Sequence, residues 1–138
     1  MGIVIDTSAL IDIERGGVDL DIALSRFSDK SISFPAIVWA ELLVGVRLAG
    51  DADISARRRA NLEQLRLLVP IVEFGPDIAE HFSDIFSECT KRGSMIPQND
   101  ITVAATARFI GAEVLVGKID EAHFRSIKDL AVITLPPV

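Results

Sequence analysis

Four carboxylates, Asp6, Glu41, Asp100 and Asp120, stand where a chain of alternating strands and helices would gather them at one edge of its sheet. Like charges drawn together from remote segments repel, and a divalent cation among them is the least costly way to hold the group. An all-oxygen ligand set of this kind suits the hard ions Mg2+ and Mn2+. Such a centre activates water for in-line attack on a phosphodiester and stabilises the leaving oxygen, with no histidine or serine nucleophile required. The chain offers little to other site chemistries. Cys89 is its one cysteine, there is no CxxC, and only His81 and His123 supply imidazole, so a zinc site is not expected.

Each acid also has an ordinary explanation. Asp6-Thr7-Ser8 before a helix reads as capping chemistry. Asp100 reads equally well as the N-cap of the helix it opens, and Asp120 as a solvated loop residue. Glu41 is harder to dismiss, because its helical neighbours Ile37, Val38, Val44, Gly45 and Leu48 form an apolar stripe from which it projects. A carboxylate so placed needs a positive partner, either a metal or an arginine. Independent caps and surface acids have no reason to converge, so the joint pattern favours a site.

The elements that must position these acids follow from the periodicity. Ile3-Val4-Ile5 is short, β-branched and unbroken, as a central parallel strand buried on both faces would be, and Asp6 follows at its carboxyl end. Helices are expected over Ala9 to Glu14 and Val18 to Phe27, and a second strand over Ser31 to Phe34. Two long helices follow, from Pro35 to about Ala49 and from Asp51 to about Leu68. A third strand, Ile71 to Phe74, leads to a helix running to about Lys91. Asp100 then opens a helix ending at Gly111. Glu113 to Val116 and Ala131 to Thr134 complete the strands, with Asp120 to Ile127 a loop or short helix between them. The alternation implies an α/β fold: one central parallel sheet of four to five strands with helices on both faces. No repeat or linker divides it, so residues 1–138 are expected to form a single domain.

Composition narrows the setting. Of the 138 residues 49% are hydrophobic, enough for one buried core, and the net charge of −6 argues against a protein that holds nucleic acid by its overall field. The acids of a metal site themselves contribute to that charge. Arg57-Arg58-Arg59 with Arg66, and Lys91-Arg92, read first as solvated helix faces. The first residues lack the basic start of a signal peptide, and no run approaches the ~20 apolar residues of a membrane span. A reducing, cytoplasmic location is expected.

The motifs resemble those of the PIN domain family, and within it the small VapC-like toxin ribonucleases of type II toxin–antitoxin pairs. The resemblance covers nearly the whole chain. It rests on Ile3 to Leu10, on Ala40-Glu41-Leu42-Leu43-Val44-Gly45, and on Pro97-Gln98-Asn99-Asp100-Ile101 running into Ala104 to Ala107. Ala112 to Val116 leading to His123-Phe124 completes it. The resemblance implies a Mg2+- or Mn2+-dependent endoribonuclease with Asp6, Glu41, Asp100 and Asp120 as its metal-holding acids. It also implies a homodimer and a cognate antitoxin seated in an apolar groove lined by residues such as Trp39, Leu42, Leu43 and Val46. Gly117 departs from the family pattern, which commonly has threonine or serine there, and the stretch from Gly117 to Phe124 is slightly longer than usual. Thr7 or Ser8 would serve as a hydroxyl beside the acids. Two other readings compete. An aspartate-based phosphoryl-transfer protein would show a second aspartate two positions after Asp6, where this chain has Ser8. A non-catalytic module with the same fold would not need to keep the acids.

Overall fold

Ile3, Val4 and Ile5 have no solvent exposure in the computed structural model, which describes residues 2–17 and 19–135. Together they form β1 (Ile3–Ile5), the middle of a five-stranded sheet whose spatial order is β3-β2-β1-β4-β5. The other strands are β2 (Ile32–Pro35), β3 (Ile71–Val72), β4 (Glu113–Val116) and β5 (Val132–Thr134). All four pairings are parallel, with β1 aligned on β4 through Ile3–Glu113, Val4–Val114 and Ile5–Leu115. Continuous apolar runs are what a strand covered on both faces requires.

The connections decide where a site can form. From β1 the chain moves outward through α1 (Thr7–Arg15), α2 (Leu20–Leu24) and a 3-10 turn (Ser25–Phe27) to β2. It continues through α3 (Ala36–Arg47) and α4 (Ala52–Leu68) to β3. Then α5 (Pro76–Arg92) and α6 (Gln98–Ile110) carry it back across to β4, and α7 (Glu121–Arg125) links β4 to β5. The direction of winding therefore reverses between β1 and β4, which puts helices on both faces and opens a crevice beyond the carboxyl ends of those two strands. Asp6 and Gly117 are the first residues past those ends.

Local sequence explains the boundaries. Asp51 caps α4 by accepting from the backbone N–H of Asp53 and Ile54. Gly93 and Gly111 end α5 and α6 in the left-handed conformation, at φ 68° and 70°, where a side chain would be strained. In α6 the Thr102 and Thr106 hydroxyls donate to the carbonyls of Gln98 and Thr102, so these threonines sit in a buried helix without orphaned groups. With Ala104, Ala105 and Ala107 wholly buried, α6 lies close against β1, β2 and β4.

Several expectations shift. The stretch expected as one helix from Val18 to Phe27 is α2 followed by a 3-10 turn, and Val18 itself lies outside the described residues. The third strand stops at Val72. Pro35 is the last residue of β2 and caps α3, instead of opening the helix. Val46 is buried and Trp39 packs on Phe34 with its ring under the Arg66 guanidinium. Leu42 and Leu43 are half-buried, and the exposed large apolar side chains of α3 are Val44 and Leu48.

Candidate metal centre

Asp6 ends β1 and caps α1. Its Oδ2 accepts the backbone N–H of Ser8 at 3.1 Å and the Ser8 hydroxyl at 2.5 Å, so the expected capping bond is present. The Ser8 hydroxyl in turn accepts the Gly117 N–H at 2.9 Å, and Asp12 accepts the Lys118 N–H at 3.0 Å. With its lone pair engaged by Gly117, the hydroxyl has its proton free for Asp6. That network ties the ends of β1 and β4 together through α1.

Asp100 is not an N-cap, and that expectation is corrected. Pro97 caps α6, and Asp100 sits within the first turn at 7% exposure, where the positive end of the helix dipole favours a carboxylate. Its Oδ2 lies 2.7 Å from His123 Nδ1. Asp120 is the N-cap residue of α7 but makes no side-chain capping bond, and its Oδ1 lies 3.6 Å from the same nitrogen. One potential ligand atom from each of Asp100, Asp120 and His123 lies within 4.8 Å of the others. Glu41 projects from α3 and accepts the Thr7 hydroxyl at 2.9 Å. Asp6 and Glu41 stand outside the tightest group but inside its field. Asp6 feels the charges of Asp100 and Asp120, and Asp100 those of Asp120 and Glu41.

The electrostatics follow from burial without compensation. Burial pushes the Asp6 carboxyl up to about 6, against the pull of its Ser8 hydrogen bonds and with the help of the Asp100 and Asp120 charges. Asp100 is raised as well, chiefly by burial, with the His123 hydrogen bond opposing. Among the described residues no lysine or arginine forms an ion pair with Asp6, Glu41, Asp100 or Asp120. Among the described residues, no cation supplies the positive partner that Glu41 called for. The donor set, carboxylate oxygens with one imidazole at ligand spacing, fits a hard or borderline dication.

Sequence reasoning gave His123 no role. The signal was its spacing: three residues after Asp120 on a short helix, it faces the same way as that acid. The arginines of α4 are largely engaged locally. Arg58 meets the Gly45 carbonyl at 3.1 Å and Glu14 at 3.7 Å, and Arg59 pairs with Glu63 at 3.1 Å.

Comparison with known proteins agrees with this architecture. The PIN domain model matches residues 3–129. Ribonuclease VapC1 of Rickettsia felis is 31% identical over 135 residues, covering 98% of this chain and 97% of the relative. Ribonuclease VapC of Rickettsia bellii is 29% identical over 136 residues, covering 99% and 98%. In fold, the chain is similar to the crystal structure of VapBC2 from Rickettsia felis bound to a promoter DNA fragment. The TM-score is 0.85 at 20% identity, with 99% and 100% of the two chains covered. A family model spanning nearly all of the sheet and every candidate acid, together with full-length relatives, settles the kinship: this chain belongs to the PIN domain family.

Proposed function

We propose that this protein is the toxin of a type II toxin–antitoxin pair, an endoribonuclease that hydrolyses RNA with Mg2+ or Mn2+ held by Asp6, Asp100, Glu41 and Asp120. The observation that carries the reading is an acid group at the β1/β4 crevice, its buried members Asp6 and Asp100 both pushed up, with no lysine or arginine paired to it among the described residues. Curated relatives named as VapC ribonucleases support the activity, and similar solved structures titled as VapBC complexes support an antitoxin partner.

A dication bound here supplies the positive charge that makes water a stronger acid and stabilises charge developing on the scissile phosphate. The chain's own residues orient that site. Ser8 engages one oxygen of Asp6, and Thr7 donates to Glu41. Asp100 and Asp120, brought together by α6 and α7, would provide further oxygens for the ion. Exposed Val44 and Leu48 on α3 and Ile54 on α4 offer an apolar face to an amphipathic antitoxin segment. No helix of the described residues is long and apolar enough to cross a membrane, and we place the protein in the cytoplasm as a homodimer of single domains spanning residues 1–138.

The test is RNA cleavage by the purified protein with Mn2+ or Mg2+ and with chelator. Wild type cleaves only with metal, and Asp6→Asn or Asp100→Asn lowers the rate by at least about 100-fold, the scale of removing a group that stabilises transition-state charge. Full activity in both folded variants would refute the assignment.

A further inference from the structure

We propose that His123 is a nitrogen ligand of this centre and that it tilts the site towards Mn2+ over Mg2+. The inference rests on the metal-dependent reading above and replaces an all-oxygen ligand set with a mixed one. Its geometry is specific. Nδ1 lies 2.7 Å from Asp100 Oδ2 and 3.6 Å from Asp120 Oδ1, and the three donors fit within 4.8 Å. Around an octahedral ion with bonds of about 2.1 Å, adjacent donors are about 3.0 Å apart and opposite ones about 4.2 Å. The spacings of 2.7 and 3.6 Å differ from the adjacent-donor value by about 0.3 and 0.6 Å, a shift that small side-chain rotations supply.

The turn that carries His123 is fixed on both sides of the residue. The His123 N–H donates to the Asp120 carbonyl at 3.1 Å, and the His123 carbonyl accepts the Ser126 hydroxyl at 2.7 Å. Phe124, wholly buried, anchors the same turn into the core. The ring itself is 38% exposed, so solvent and ions reach it. A hydrogen bond alone accounts for the Asp100 contact; the second carboxylate at 3.6 Å is what makes the nitrogen common to two acids. Imidazole suits first-row transition metals, whereas Mg2+ prefers carboxylates and water, so a nitrogen donor favours Mn2+ of the two.

The experiment is pulsed electron paramagnetic resonance on full-length protein loaded with Mn2+ alone, comparing wild type with His123→Gln, alongside Mn2+ and Mg2+ affinities for both. Glutamine keeps a hydrogen bond towards Asp100 within reach but removes the imidazole. The expected result is 14N modulation from a bound imidazole in wild type and its loss in the variant. Mn2+ binding weakens about tenfold or more and Mg2+ binding less, so the preference for Mn2+ falls. Mn2+ bound without nitrogen coupling in wild type, or coupling that survives in His123→Gln, overturns the inference and leaves the nuclease reading standing. No Mn2+ binding by wild type overturns both.

Discussion

Asp6 carries two duties that pull against each other. As the cap of α1 it belongs in the structure, yet it is 2% exposed and faces other acids, so burial pushes its carboxyl from an ordinary 3.8 to about 6. A carboxyl raised in the folded state binds its proton more tightly there than in the unfolded chain. The resulting penalty is absent below about pH 4 and complete above about pH 6, where it amounts to roughly 3 kcal/mol. Metal-free protein should therefore lose stability from this group as pH climbs through that window. Asp6→Asn keeps an oxygen for the Ser8 N–H and removes the charge. Without metal at pH 7.5 it is expected to melt several degrees above wild type, the gap closing near pH 4. Calorimetric melting across pH checks this, and a variant less stable than wild type at pH 7.5 would contradict it. The sequence showed Asp6 as both cap and candidate ligand; the structure bears out the cap and buries the carboxylate within the field of Asp100 and Asp120. The cap reading of Asp100 fails, because α6 begins at Gln98, two residues before the Asp100 expected to open it.

At the level of elements, the join between β4 and α1 is the tightest constraint on the site. A Cβ on Gly117 would come within 2.4 Å of the Ser8 carbonyl oxygen and 2.6 Å of Asp12 Oδ2. The glycine that departs from the family's usual threonine or serine is therefore required by how closely these segments approach. Gly117→Ala must push β4 from α1 and loosen the Gly117–Ser8–Asp6 relay. We expect a loss of about 1–3 kcal/mol in denaturant unfolding, together with a lower cleavage rate. Unchanged stability would show that the strand end yields freely. Most elements were legible as hydrophobic periodicity. The strand Glu113–Val116 is read to the residue, and α4 from its Asp51 cap. Close approach of backbone to backbone leaves no such trace, so a glycine in a strand-end loop looks the same whether it is required or merely tolerated. The short α7 was ambiguous for a related reason. Five residues are too few for a period to show, and the alignment of His123 with Asp120 depends on that turn being helical.

For the molecule as a whole, strand order turns scattered acids into a centre. The sequence revealed alternating strands and helices, but not that the winding reverses between β1 and β4, since order within a sheet is set by long-range pairing. That reversal makes the crevice and explains why segments 94 residues apart, at Asp6 and Asp100, act on each other electrostatically. Repulsion in the metal-free fold is then the counterpart of affinity for a cation, and ligand binding to the folded state must raise its stability. The central claim is tested most directly by calorimetric titration of Mn2+ into wild type and Asp100→Asn at pH 7.5. Saturable binding in wild type, weakened by at least about tenfold in the folded variant, is the predicted result. Equal binding in both, or none in wild type, would contradict it.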